Sequence, residues 1–145
     1  MTGRNILIAF IVVVAVVAGV LFIKNRKATT VLAPSASPSV QQQIQNKFNG
    51  LVIPTDAEKV ELKDVSGGSA MGLATRSEIL ADLPTLPSGQ VYQGWLENSS
   101  GKTVLLGILK SAKGGWILSY DSGRFPGYNK VIVSQGNVHI LEGSF

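Results

Sequence analysis

The chain has 145 residues, with 13 Lys and Arg against 9 Asp and Glu, one histidine and no cysteine. The lack of cysteine excludes disulfides, thiol catalysis, thiolate metal sites and lipid attachment at a cysteine, and one histidine alone cannot assemble a zinc or copper site. The net charge of +4 is local: from Gln41 onward basic and acidic residues cancel, and the excess lies on Arg4, Lys24, Arg26 and Lys27, which flank one apolar run. That placement fits a membrane surface and argues against nucleic acid.

The apolar run is Ile6 to Ile23, ILIAFIVVVAVVAGVLFI, with no charged or strongly polar residue. As a helix it reaches roughly 27 Å, close to the hydrocarbon thickness of a bilayer. It exceeds the usual apolar core of a signal peptide, and a basic collar stands where a cleavage site needs small residues. Residues 1–27 therefore read as one uncleaved transmembrane helix with its collar, and the bilayer is the partner of Ile6–Ile23. Residues 28–47 begin ATTVLAPSASPSVQQQ, an uncharged spacer rich in Ala, Ser, Pro and Gln. Pro34 and Pro38 favour extended backbone there. Gln41 to Phe48 has the makings of a short helix, with Ile44 and Phe48 four apart on one face.

From Lys59 the pattern changes to short apolar runs between turn residues. Strands are expected at Val60–Lys63, Ala70–Thr75, Val91–Glu97, Thr103–Leu109, Trp116–Tyr120, Lys130–Ser134 and Val138–Leu141. Two prolines in Leu83–Gly89 forbid a central strand there. About seven short antiparallel strands predict an all-β, Ig-like sandwich over residues 48–145, preceded by the transmembrane helix. Gly94 and Gly107 stand inside the two best strands, where bulges or close approach of a bulky neighbour are expected. Trp95 and Trp116 are the natural large core residues.

No catalytic, cofactor or metal constellation emerges. His139 reads as a surface or rim residue of the last hairpin. Ser66-Gly67-Gly68-Ser69 matches no nucleophile elbow, and Gly101-Lys102-Thr103 lacks the upstream glycine of a phosphate loop. Glu58, Glu61 and Asp64 alternate with Lys59 and Lys63 as a solvated face would. Asn98-Ser99-Ser100 fits the short N-glycosylation pattern. Tyr92, Trp95, Trp116 and Tyr120, with Phe125 and Tyr128 nearby in sequence, are either fold-defining packing or a binding shelf. The chain reads as a non-enzyme.

The string Leu83-Pro84-x-Leu86-Pro87-x-Gly89-x-Val91-Tyr92-Gln93-x-Trp95, followed by Leu106-Gly107, resembles the extracytoplasmic domain of anti-sigma-K factors. The later Val131–Ser134 run and Glu142-Gly143 are similar in spacing, so the likeness spans about Lys59 to Phe145. It implies a β-sandwich outside the cytoplasmic membrane, joined by one transmembrane helix to a sigma-binding part inside. Only Met1 to Asn5 precede the helix here, so the expectation is that this part is either lost or supplied by a separate protein, a regulator or sigma-binding subunit. The positive-inside rule leans slightly towards a cytoplasmic C-terminal side, whereas the spacer and the resemblance favour an exported domain. The expectation is a single-pass membrane protein with an extracytoplasmic β-domain that senses the envelope or binds a regulatory protein. The alternative is a structural or assembly component of an envelope complex.

Overall fold

The computed structural model describes residues 38–145, which form one compact unit. The apolar run Ile6–Ile23 and most of the spacer lie outside the described residues. Among those described, no helix is long and apolar enough to cross a membrane.

The first element is a helix, α1 (Val40–Lys47). Ser39 starts it with a capping box: its hydroxyl accepts from the Gln42 backbone N–H, and the Gln42 side chain accepts from the Ser39 N–H. This satisfies two donors that a helix start leaves unpaired. The strands follow as β1 (Lys59–Asp64), β2 (Met71–Thr75), β3 (Glu78–Asp82), β4 (Tyr92–Asn98), β5 (Thr103–Ile108), β6 (Lys110–Ala112), β7 (Gly115–Ser119), β8 (Tyr128–Gln135) and β9 (Val138–Ser144). A 3-10 turn at Ser122–Arg124 interrupts the loop between β7 and β8.

The expected strands form, and all nine are antiparallel, but they make one sheet in the order β5-β4-β8-β9-β1-β2-β3-β7-β6. This differs from an Ig-like sandwich, in which two separate sheets pack face to face. Two links remove the separation. Lys63 and Asp64 of β1 pair with Glu142 and Leu141 of β9, joining the two halves of the sheet. At the other side a single residue, Leu109, divides β5 from β6, so one extended stretch leaves the β4 ladder and enters the β7 ladder. The Leu109 N–H still donates to the Tyr92 carbonyl at 2.9 Å. The result is a nearly closed, barrel-like sheet.

The interior follows from strand alternation. Tyr92 and Leu96 of β4, Val131 and Val133 of β8, Leu141 of β9, Leu62 of β1 and Ile79 of β3 share one buried cluster. Small residues, Ala74 and Ala81, face inward beside them, as a narrow barrel requires. Gly94 and Gly107 meet the expectation of bulge and close approach. The β4–β5 register shifts after Gly94, and Gly107 has φ +148°, a backbone region that disfavours side chains. Both lie beneath the Leu118 side chain, whose Cδ2 would stand 2.5 Å from a Cβ at Gly94. Leu118 thus packs into the gap between β5 and β7.

A second cluster lies on the outer face of β2 and β3. Ile44 and Phe48 pack there with Ile53, Leu73 and Leu80. Residues 40–47, expected to end the spacer, are therefore part of this unit. The covering also explains β3, which the sequence pattern concealed. Glu78–Asp82 is buried on both faces, so its apolar residues run together and show no alternation.

Phe48→Ala should lower the stability of the folded unit by about 3–5 kcal/mol, because the ring is fully buried under the helix. Val52→Ala, at a side chain 80% exposed, should change it by no more than about 0.5 kcal/mol. Urea unfolding of both variants measures the contrast.

Candidate functional site at the mouth of the barrel

Strands β3 and β4 follow each other in sequence but have four strands between them in the sheet. The segment 83–91 therefore crosses one end of the barrel as a strap. Pro84 and Pro87 carry no N–H, so the strap cannot pair as a strand. Its carbonyls take side-chain donors instead. Trp116 Nε1 donates to the Leu83 carbonyl at 3.1 Å, and the Tyr92 hydroxyl donates to the Pro84 carbonyl at 3.2 Å. The two rings meet edge to face, with centroids 5.0 Å apart and planes at 83°. Further along, Gln90 N–H donates to Pro87 O in a turn completed by Gly89 at φ +86°. The Gln135 side-chain amide reaches the Gln90 side-chain oxygen, tying the strap to the end of β8.

Between this strap, the β1–β2 loop and the β6–β7 hairpin lies an open groove of about 810 Å³. Leu86, Tyr92, Trp116 and Ile140 give it apolar walls, and Ser69 and Ser111 lie on its polar side. Two carboxylates border it and both are engaged. Asp64 accepts from the backbone N–H groups of Ser66, Gly68 and Ala70 and from the Ser66 hydroxyl. Desolvation pulls its pKa up, but these four donors together hold it below the ordinary carboxylate value. Asp82 pairs with Lys47 at 3.0 Å. Among the described residues every fully buried side-chain nitrogen and oxygen has a partner, and the groove itself is lined by apolar and polar groups together. Also among the described residues, no three of His, Cys, Asp and Glu stand together as metal ligands would.

The four aromatic residues singled out in the sequence separate into distinct places. Tyr92 is buried at the mouth, and burial raises the pKa of its hydroxyl, which keeps it a donor. Trp116 joins it there. Tyr120 packs on the interior cluster, and its hydroxyl donates to the Thr75 carbonyl towards the opposite end. Burial pushes its pKa up to about 12, against the pull of Arg76. Trp95 corrects the expectation of a core residue. It stands one residue out of phase with Tyr92, Gly94 and Leu96, so strand alternation puts it on the outer face. There it is half-buried opposite Ile132, with Nε1 donating to the Ser134 hydroxyl at 2.9 Å. Among the described residues these aromatics form no single shelf. Phe125 and Tyr128 make their own edge-to-face pair.

His139 is exposed, as expected, and its Nδ1 lies 2.6 Å from Glu142. Glu142 also meets Lys130 at 2.9 Å, forming a short charged row on the outer face. Of the acidic trio in β1 and before it, Glu58 pairs with Arg76 and Glu61 is exposed, whereas Asp64 holds the β1–β2 loop. That role had a local signal: an Asp two residues before a Ser in a Gly-rich turn commonly accepts from its own loop.

No protein-family model, curated protein or solved structure matches this chain.

Tyr92→Phe keeps the ring pair and removes one donor from the strap. It should cost about 1 kcal/mol of stability, the usual net value of such a bond, measured by urea unfolding.

Proposed function

We propose that this chain is a single-pass membrane protein of the bacterial envelope, anchored through Ile6–Ile23, whose extracytoplasmic β-domain binds a regulatory protein at the mouth of the barrel. The observation that carries the reading is the groove of about 810 Å³ under the pinned strap. Its volume falls in the range of ligand-holding clefts, and it is open along the mouth, which suits an extended chain segment. Leu86, Tyr92, Trp116 and Ile140 on its walls suit apolar side chains of such a segment, and Ser69 and Ser111 offer partners for its backbone groups.

The strap and one of its pins, Tyr92, fall within the LP-x-LP-x-G-x-x-YQ-x-W string that resembles anti-sigma-K factors, while the other pin, Trp116, lies outside it. On that likeness the partner is a regulator or a sigma-binding subunit, and the role is regulation of transcription from the envelope. The assembly reading has one observation of its own. Strand β5 ends the sheet, is hydrogen-bonded along one edge only, and carries the exposed side chains of Leu105 and Ile108. Such an edge can pair with another chain.

Crosslinking of intact cells with a membrane-impermeant reagent, followed by pull-down on a C-terminal tag, tests both readings. The regulatory reading predicts a distinct protein that is captured by the wild type and lost with Leu86→Glu. Capture of the chain's own copies alone would support assembly. Lysines that react only after lysis would place the domain on the cytoplasmic side and overturn the extracytoplasmic location.

A further inference from the structure

Six large apolar side chains stand exposed among the described residues, and four of them belong to the mouth. They come from four separate pieces of chain. Ile108 ends β5 next to Lys110, opposite Gln93. Val91 directly precedes β4. Val138 begins β9 opposite Gln135, which itself lies opposite Tyr92. Val65 follows β1, with its N–H bonded to the Ile140 carbonyl at 2.9 Å. In the sheet order β5-β4-β8-β9-β1 the four follow one another with Gln135 of β8 between Val91 and Val138, and they form an arc along one side of the rim. Each is between 40% and 58% exposed. Val91 and Val138 also share a shallow hollow of about 560 Å³ that continues towards the groove through Gln135 and Ile140.

The chemistry of the arc selects among occupants. Protein interfaces concentrate energy in Trp, Tyr and Arg anchors seated in pockets. The arc has only branched aliphatic tips on separate strand ends, while Tyr92 and Trp116 are already engaged with the strap. The unpaired charges beside it are basic, since Glu142, the cross-strand neighbour of Lys63, is taken up by Lys130 and His139. Lys63 and Lys110 are exposed at the same end, whereas Asp64 is consumed by its loop and Asp82 by Lys47. Aliphatic tips beside free lysines suit the interface of an anionic bilayer. The sequence also keeps that surface in reach. Only residues 28–37 separate the basic collar from the compact unit, about 36 Å at full extension.

We propose that Val65, Val91, Ile108 and Val138, with Lys63 and Lys110, dock the mouth of the barrel onto the surface of an anionic lipid bilayer. The proposal rests on the anchored reading above. Docking would hold the groove open at the membrane surface, where it would meet the juxtamembrane segment of a membrane-bound partner.

The native chain has no cysteine, so single cysteines can be introduced without background. Full-length protein carrying Val138→Cys, Val91→Cys or, in the β4–β5 turn at the opposite end, Ser99→Cys is labelled with an environment-sensitive fluorophore. Each is placed in nanodiscs of phosphatidylcholine with phosphatidylglycerol, with or without doxyl-labelled lipid. Docking predicts a blue shift and a loss of emission to doxyl lipid at 138 and 91, and neither at 99. Lys63→Gln with Lys110→Gln should weaken the docking equilibrium about 25-fold, at about fivefold per lysine. Water-like, unquenched emission at 138 and 91 from protein retained in the discs overturns docking and leaves the anchor intact. A blue shift without doxyl quenching means that protein covers the arc, and also overturns it. Protein that fails to stay in the discs overturns the anchored reading, and docking with it.

Discussion

A chain that must pass from β3 to β4 across the open end of a barrel carries backbone groups that no neighbouring strand can satisfy. Here the crossing segment has two prolines, which remove two donors, and carbonyls that still need partners. Trp116 and Tyr92 supply them, and their rings brace each other at right angles. One arrangement therefore sets the path of the strap and forms the floor of the groove. Without it the mouth would have no defined wall on that side. The interior packing below, from Leu62 through Leu141, fixes the strands from which both aromatic residues project.

The two ends of the barrel differ in how their side chains are engaged. At the opposite end, Arg76 chelates Glu58 through two nitrogens, bonds Asn129 and lies 4.0 Å from the centre of the Phe145 ring. Those contacts tie together the start of β1, the β2–β3 turn and the end of β9. The mouth carries exposed aliphatic tips, the exposed Lys63 and Lys110, and the groove. Closure of the sheet through Leu109 matters to this asymmetry. It brings Ile108 and Ser111, only three residues apart, to the arc and to the groove.

Much of the architecture was legible from residues. Alternation and turn chemistry located seven strands, the prolines marked Leu83–Gly89 as a non-strand, and the Ile44/Phe48 spacing announced the short helix. Two things were hidden for physical reasons. β3 is covered on its outer face by α1, so its Ile79-Leu80-Ala81 run has no alternation to read, and β6 is three residues of Lys-Ser-Ala beside a turn. The number of sheets was out of reach as well. Closure depends on two ladder residues between β1 and β9, and on hydrogen bonds at Leu109, none of which leaves a mark in composition. The site divided in the same way. Tyr92 and Trp116 were visible as aromatics in strands, but their joint role required knowing that β4 and β7 meet under the strap. Trp95 was misplaced because a tryptophan in a strand suggests core, while its phase against Leu96 puts it outside.

The path of the strap depends on its two pins, Trp116 and Tyr92, beyond the packing of Leu83 and Leu86 on the interior cluster. Amide hydrogen exchange on wild type and Tyr92→Phe tests it most directly, comparing Gln90 in the strap with Val131 to Val133 in the interior. The account predicts that protection at Gln90 falls in the variant while Val131–Val133 exchange as before, apart from the uniform effect of lower global stability. Protection at Gln90 that stays unchanged, or falls only in step with Val131–Val133, would contradict it.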